Sequence, residues 1–290
     1  MVRPNPPLKD VIVAAITPRR PGHHSIDLDA ALDLIDFLAT SGAQAIALLT
    51  SAGEFVHFSI EDRRQFVKLA AKRSRLPLLV NVSHSTLDGA VELAWEAALS
   101  GVAGLLLMPP YFFHHSQESI RSFYLTFAAA IGHAAPVYLA SELAPATAAE
   151  LLATGRFAGV LESNLDTLRV PAPFTLLASQ ERTYVEAKAL GAHGLVSSVA
   201  CAVPELVVAL DQAIQAQAQD RVARLHQRTI ELLDRIEALP PLAAIQEAVR
   251  QRQLRAGPCA VPLGKEDERR LAEFREWLRA WLPQALRECP

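Results

Sequence analysis

From the start of the chain to about residue 225, short apolar runs alternate with longer segments whose apolar residues recur at helical spacing. The short runs cover 11–17, 45–49, 77–82, 104–109, 136–141, 159–164, 175–180 and 194–200, and few polar residues interrupt them. A strand covered on one face alternates apolar and polar side chains. Near-continuous apolar runs instead predict strands buried on both faces, as in a parallel sheet. The segments between them predict helices over 28–40, 60–73, 86–100, 118–131, 146–152 and 183–190. Each is long enough for the crossover that joins two parallel strands. The stretch 165–174, with Pro171 and Pro173, has room for only a turn of helix. Gly42, Gly101 and Gly191 follow helical patterns directly, where a helix C-terminus favours glycine.

Strands that each feed a helix predict an α/β protein, a (β/α)8 TIM barrel over residues 1–220. Helical patterns at 221–238, 242–255 and 266–287 are broken apart by Pro240-Pro241 and Gly257-Pro258. They predict a C-terminal three-helix extension, 221–290, packed on the barrel.

Composition narrows the function classes. The 290 residues are 51% hydrophobic and 20% charged, which suits a globular chain with a sizeable core. A formal charge of −3 gives no basic stripe for nucleic acid or an anionic membrane. The arginines between 221 and 255 are interleaved with Glu231, Asp234, Glu237 and Glu247, the pattern of solvated helix faces. Cys201, Cys259 and Cys289 are too few and odd in number for a disulfide framework. Prolines at 4, 6 and 7 stand where a signal peptide would be apolar, and no apolar run approaches the ~20 residues of a membrane span. The expectation is a cytoplasmic protein.

In a barrel of this kind chemistry sits at the C-terminal ends of the strands. The second strand runs into Thr50-Ser51-Ala52-Gly53-Glu54, followed by Phe58-Ser59-Ile60-Glu61. The fourth ends in Pro109-Pro110-Tyr111-Phe112-Phe113, with Ser116-Gln117-Glu118 opening the next helix. The eighth gives Leu190-Gly191-Ala192-His193-Gly194-Leu195-Val196-Ser197-Ser198 and then Pro204. In order and spacing these motifs resemble the dihydrodipicolinate synthase / N-acetylneuraminate lyase family, across nearly the whole chain.

The resemblance implies a Schiff-base lyase or aldolase without a cofactor, assembled as a homo-oligomer, a dimer or a tetramer. It also implies the pocket positions Ser51, Ala52, Tyr111, Ala140, Leu161 and Ser198. At several of these the family's chemistry is missing. Ser51 and Ala52 stand for the two threonines of the carboxylate-holding loop, and Phe112 for the second tyrosine of a pair. Ala140 replaces the acid/base tyrosine in Ala140-Ser141-Glu142-Leu143, and Leu161 replaces the lysine in Gly159-Val160-Leu161-Glu162-Ser163. Ser179 and Cys201 fall where a glycine and an asparagine are usual.

The chain has five lysines, Lys9, Lys68, Lys72, Lys188 and Lys265, none in a predicted strand. Lys188 is expected on a solvated helix face. Leucine has no nitrogen to attack a carbonyl, so Schiff-base catalysis is expected to be absent and a small-molecule-binding or pseudo-enzyme homologue is expected instead. A rebuilt site is the alternative. It would draw on Glu162, Glu142 or His84, with Glu162 beside His84 as the acid/base pair to look for, set against the plainer expectation that Glu162 caps the strand end or pairs with an arginine. A purely structural subunit of a hetero-oligomer is the third reading. With Glu142 and Glu162 at the rim, the pocket is expected to disfavour oxo-acid anions. His23-His24 and His114-His115 are expected to be solvated and no metal site is assigned. Glu54 is expected to order its loop and Cys201 to be a packing residue.

Overall fold

The computed structural model describes residues 8–140, 143–166, 174–240 and 242–290. In chain order the strands are β1 (Asp10–Ala14), β2 (Ala45–Leu48), β3 (Leu78–Asn81), β4 (Gly104–Leu107), β5 (Val137–Ala140), β6 (Gly159–Glu162), β7 (Thr175–Ala178) and β8 (Gly194–Ser197). They form a closed barrel in sequence order, and β1 closes parallel on β8 with Val11 opposite Leu195. The interleaved helices are α1 (Leu28–Ala39), α2 (Ile60–Arg73), α3 (Leu87–Leu99), α4 (Gln117–Ile131), α5 (Pro145–Ala153) and α6 (Tyr184–Ala189). After β8 come α7 (Pro204–Gln215), α8 (Gln219–Glu237), α9 (Ala243–Gln251) and α10 (Lys265–Arg287). This is the TIM barrel, with helices continuing beyond it.

Side-chain caps set several helix starts. Asp27, Ser59, Thr86 and Ser116 each accept a hydrogen bond from the backbone N–H three residues on. Strand alternation divides the core in two. One cluster lies between sheet and helices, with Val13, Val80, Val160 and Leu195 facing Leu34, Phe66 and Phe127. The other fills the barrel lumen with Ile12, Ala14, Ala47, Leu79, Leu106, Tyr138, Ala140, Leu177 and Val196.

Every strand stops short of the end of its apolar run. The run at 194–200 splits into β8 and a 3-10 turn, Val199–Cys201. Pairing ends where the barrel opens, but after β1, β2 and β3 residues such as Ala15, Ile16, Leu49 and Val82 stay buried and so remain apolar. The pattern also left α7 undelimited, because Pro204, Leu206, Val207, Ala209, Leu210 and Ala213 are all buried and blur the helical stripe. Lys188 is a correction. Its side chain is only 13% exposed and pairs with Asp211 at 3.2 Å, not with solvent. The helical turn expected at 165–174 lies mostly outside the described residues.

Candidate functional site

At the mouth, the parity of β6 decides which side chain enters. Leu161 packs with the lumen cluster beside Ala140 and Leu177, its register partners on β5 and β7. Glu162, one residue on, shares the outer face with Val160 and is buried. Its Oε1 accepts the N–H groups of Ser163 and Asn164 at 2.7 and 3.1 Å, and Oε2 has no partner among the described residues. His84 holds Thr86 through Nδ1, taking its N–H at 3.2 Å and meeting its hydroxyl at 3.0 Å. The Glu162–His84 pair is therefore not formed, and Glu162 does not reach the rim. Both correct the expectation, because a single residue of strand parity turns a side chain from lumen to helix layer. Ser141 and Glu142 lie outside the described residues.

Of the pocket positions, Ala52, Ala140 and Leu161 come together in the lumen cluster. Ser51 is exposed at the rim, and Ser198 is half-buried at the start of the 3-10 turn after β8. Tyr111 stands edge-on to Phe55, with ring centroids 5.6 Å apart. His23, His24, His114 and His115 are exposed. Cys201 is fully buried and accepts the Ile16 N–H at 3.4 Å. Burial pushes its thiol up to about 12, the opposite of what a nucleophilic thiolate requires.

Sequence reasoning missed the network that shapes this mouth. Arg63, on α2, is 2% exposed, and its Nη1 and Nη2 donate to the carbonyls of Ser83 and Asn81, each at 2.9 Å. Asn81 Nδ2 donates to the Leu49 carbonyl at 2.7 Å, and Ser83 Oγ accepts the Met108 N–H at 2.8 Å. The guanidinium also lies 5.1 Å from the Phe55 ring centroid. The arginine thus anchors the end of β3, from which Asn81 and Ser83 reach the ends of β2 and β4. Desolvation brings it down to about 10, opposed by the nearby Tyr111, and it stays protonated at neutral pH. Its signal was present in the sequence, since Arg63 shares the buried stripe of α2 with Phe66, Val67 and Ala70. Arg63→Met is expected to lower stability by about 2–4 kcal/mol, because two buried carbonyls lose their donors. Urea denaturation checks this, and an unchanged midpoint would assign the network no structural weight.

The β2–α2 loop approaches closely because residue 53 is glycine. A Cβ there would lie 2.9 Å from Thr17 Oγ1 and 3.0 Å from the Leu49 backbone. Beyond Gly53, Glu54 takes a left-handed conformation and its Oε2 accepts from Gln246 on α9 at 3.3 Å. Between residues 51–57 and the 259–263 linker opens a cavity of about 500 Å³. Leu242 lines it and also packs against the lumen, so its side chain is a wall shared by both spaces.

A closed parallel barrel with loops and side chains gathered over the C-terminal strand ends is the architecture of TIM-barrel enzymes. The chain belongs to the dihydrodipicolinate synthetase family, whose model matches residues 7–281. The 4-hydroxy-tetrahydrodipicolinate synthase of Desulfotalea psychrophila is 26% identical over 280 residues, covering 91% of this chain and 93% of that protein. Synthase 1 of Streptomyces coelicolor is 28% identical over 270 residues, 88% of each. Dihydrodipicolinate synthase from Aquifex aeolicus shares the fold with a TM-score of 0.87 at 22% identity, over 95% of this chain and 98% of that one. Sialic acid aldolase of Ruminococcus gnavus does so at 0.86 and 19%, over 96% and 99%. Among the described residues no helix is long and apolar enough to cross a membrane, and no group of three or more His, Cys, Asp or Glu side chains is placed to hold a metal ion.

Proposed function

We propose that this chain is a family barrel that binds a small molecule without forming a Schiff base. The observation carrying this reading is Leu161 inside the lumen, at the position where the resemblance puts the lysine. The R. gnavus aldolase has also been solved as a catalytic lysine mutant, and leucine offers no amine for that role. No other lysine substitutes for it. Lys9, Lys68, Lys72 and Lys265 are exposed, and Lys188 is paired with Asp211 at the far end of the barrel. Ala140 and Ala52 are consistent with this, since neither has a proton to move.

A family relative has been solved in complex with pyruvate. Without the lysine amine, and with Glu54 at the edge of the neighbouring cavity, an oxo-acid carboxylate is less well held here. The rebuilt acid/base reading has less support, because Glu162 and His84 each bond to their own loops. Phe112 and Phe113, 82% and 70% exposed, fit assembly with a second copy of the chain.

Borohydride trapping with pyruvate and a panel of aldehydes, read by intact mass and peptide mapping, tests the proposal. No adduct is expected, beside full labelling of a synthase that retains its lysine. An adduct on a lysine inside the barrel would overturn it.

A further inference from the structure

The cavity between the β2–α2 loop and the α9–α10 linker belongs to no position that the family resemblance assigns, apart from Ser51 at its edge. Its volume of about 500 Å³ falls in the range of sites that enclose a small organic ligand. Phe55, Val56, Leu242, Val261, Pro262 and Leu263 supply its apolar walls. Val56 and Val261 are 55% and 66% exposed although both are valines lining the same space. Branched apolar side chains left open in this way have surface to gain by covering.

The charged edge is acidic. Glu54 and Asp267 line the cavity beside the imidazole of His57, and no lysine or arginine is among the lining residues. Glu54 takes one long hydrogen bond, from the neutral amide of Gln246 at 3.3 Å. Asp267 lies in the first turn of α10, and neither carboxylate has an ion-pair partner among the described residues. Arg250, whose charge is felt at Cys259, is turned to Glu247 at 3.3 Å and to the Gly257 carbonyl at 2.5 Å. An apolar chamber with two unneutralised carboxylates at its edge repels an anion and attracts a cation.

Backbone conformation singles out the same place. Glu54 and Leu242, both lining it, hold φ of 49° and 66°. Leucine and glutamate rarely occupy this left-handed region, and such outliers gather at ligand clamps.

We propose that this cavity binds a small apolar molecule carrying one protonated amine, its body against Val56, Leu242 and Val261 and its ammonium between Glu54 and Asp267. This deepens the reading of the chain as a ligand-binding barrel and rests on it. A matched set of 2-phenylethylamine, 2-phenylethanol and 3-phenylpropionate, titrated into the full-length protein by calorimetry and ligand-observed NMR, tests it. The amine is expected to bind about tenfold more tightly than the carboxylate, corresponding to one charge-assisted contact. Glu54→Gln combined with Asp267→Asn should erase that preference. Val261→Trp, at an exposed position that does not threaten folding, should fill the cavity and abolish binding. Equal or tighter binding of the carboxylate, no binding of the amine, or amine binding that survives Val261→Trp would each overturn the proposal. These outcomes are separate from the fate of the Schiff-base reading, which turns on trapping at a barrel lysine.

Discussion

Asp211→Ala is expected to lower the unfolding free energy by about 3–5 kcal/mol, the range found when one partner of a buried ion pair is removed. Asp211 sits on α7 with its side chain 4% exposed and pairs with Lys188, itself 13% exposed. The Tyr184 hydroxyl donates to Oδ1, and Gln215 Nε2 donates to Oδ2 at 2.6 Å. Gln215 also donates to Asp10 at 3.0 Å, joining the start of β1 to the network. Alanine would strand a poorly hydrated ammonium and leave a fully buried phenol without its acceptor. Burial, reinforced by the Asp211 charge and hydrogen bond, holds the Tyr184 phenol far above its ordinary range, so it remains a donor at neutral pH.

The control is Asp211→Asn, which keeps an acceptor for Tyr184 while removing the charge opposite Lys188, and should fall between wild type and alanine. Denaturant midpoints with unchanged slope would report the loss as stability. The network lies at the N-terminal end of the strands, so ligand binding at the mouth should persist under folding conditions. A loss of binding in a folded Asp211→Asn protein would break this separation between a stabilising face and a functional one.

How much of this was legible in the chain depends on how local each feature is. Strands β1 to β8 announced themselves because both of their faces are covered, which leaves apolar runs such as Gly104–Leu107 with no polar interruption. The same burial hid where they end, since Ala15, Ile16, Leu49 and Val82 lie beyond the ladders and are as buried as the residues within them. That Leu161 lies on a strand was readable from its apolar run, and the structure packs it against the lumen cluster. The orientation of Glu162 was not, because in a four-residue strand one step of register decides between lumen and helix layer.

Arg63 could have been found on its helical stripe, but its partners on β3 could not, being backbone carbonyls that any residue provides. The cavity was beyond reach altogether. Its walls meet through contacts such as Gln246 to Glu54, 192 residues apart, and no periodicity reports a closure of that span. Lys188 shows the same limit from the other side. A lysine on a helix predicts solvent until a buried aspartate arrives from the next helix to receive it.

Leu161→Lys is expected to trap pyruvate, where the proposed function has the unaltered chain trap none. The new amine would rise from β6 beside Ala140 and Leu177, within the lumen cluster that includes Ala14, Leu106 and Val196. Desolvation there disfavours the ammonium and lowers the lysine's pKa, which raises the fraction of neutral, nucleophilic amine at neutral pH. Leu161 is only half-buried, so an oxo-acid arriving from the mouth can meet that amine. Borohydride should then fix one pyruvate per chain at residue 161, located by peptide mapping, with Leu161→Met as the unlabelled control.

Turnover should not follow. Condensation with a second carbonyl needs protons moved at the imine, and Ala140 and Ala52 have none to give. Adding Ala140→Tyr to Leu161→Lys places a phenol on the adjacent strand, and a positioned acid/base group of that kind accelerates proton transfer by about 10²–10⁴-fold. The double variant should therefore form the imine faster than the single one. If folded Leu161→Lys fails to trap pyruvate, the lumen at residue 161 is closed to oxo-acids. The proposed absence of Schiff-base chemistry would then rest on the shape of the barrel mouth rather than on one missing nitrogen.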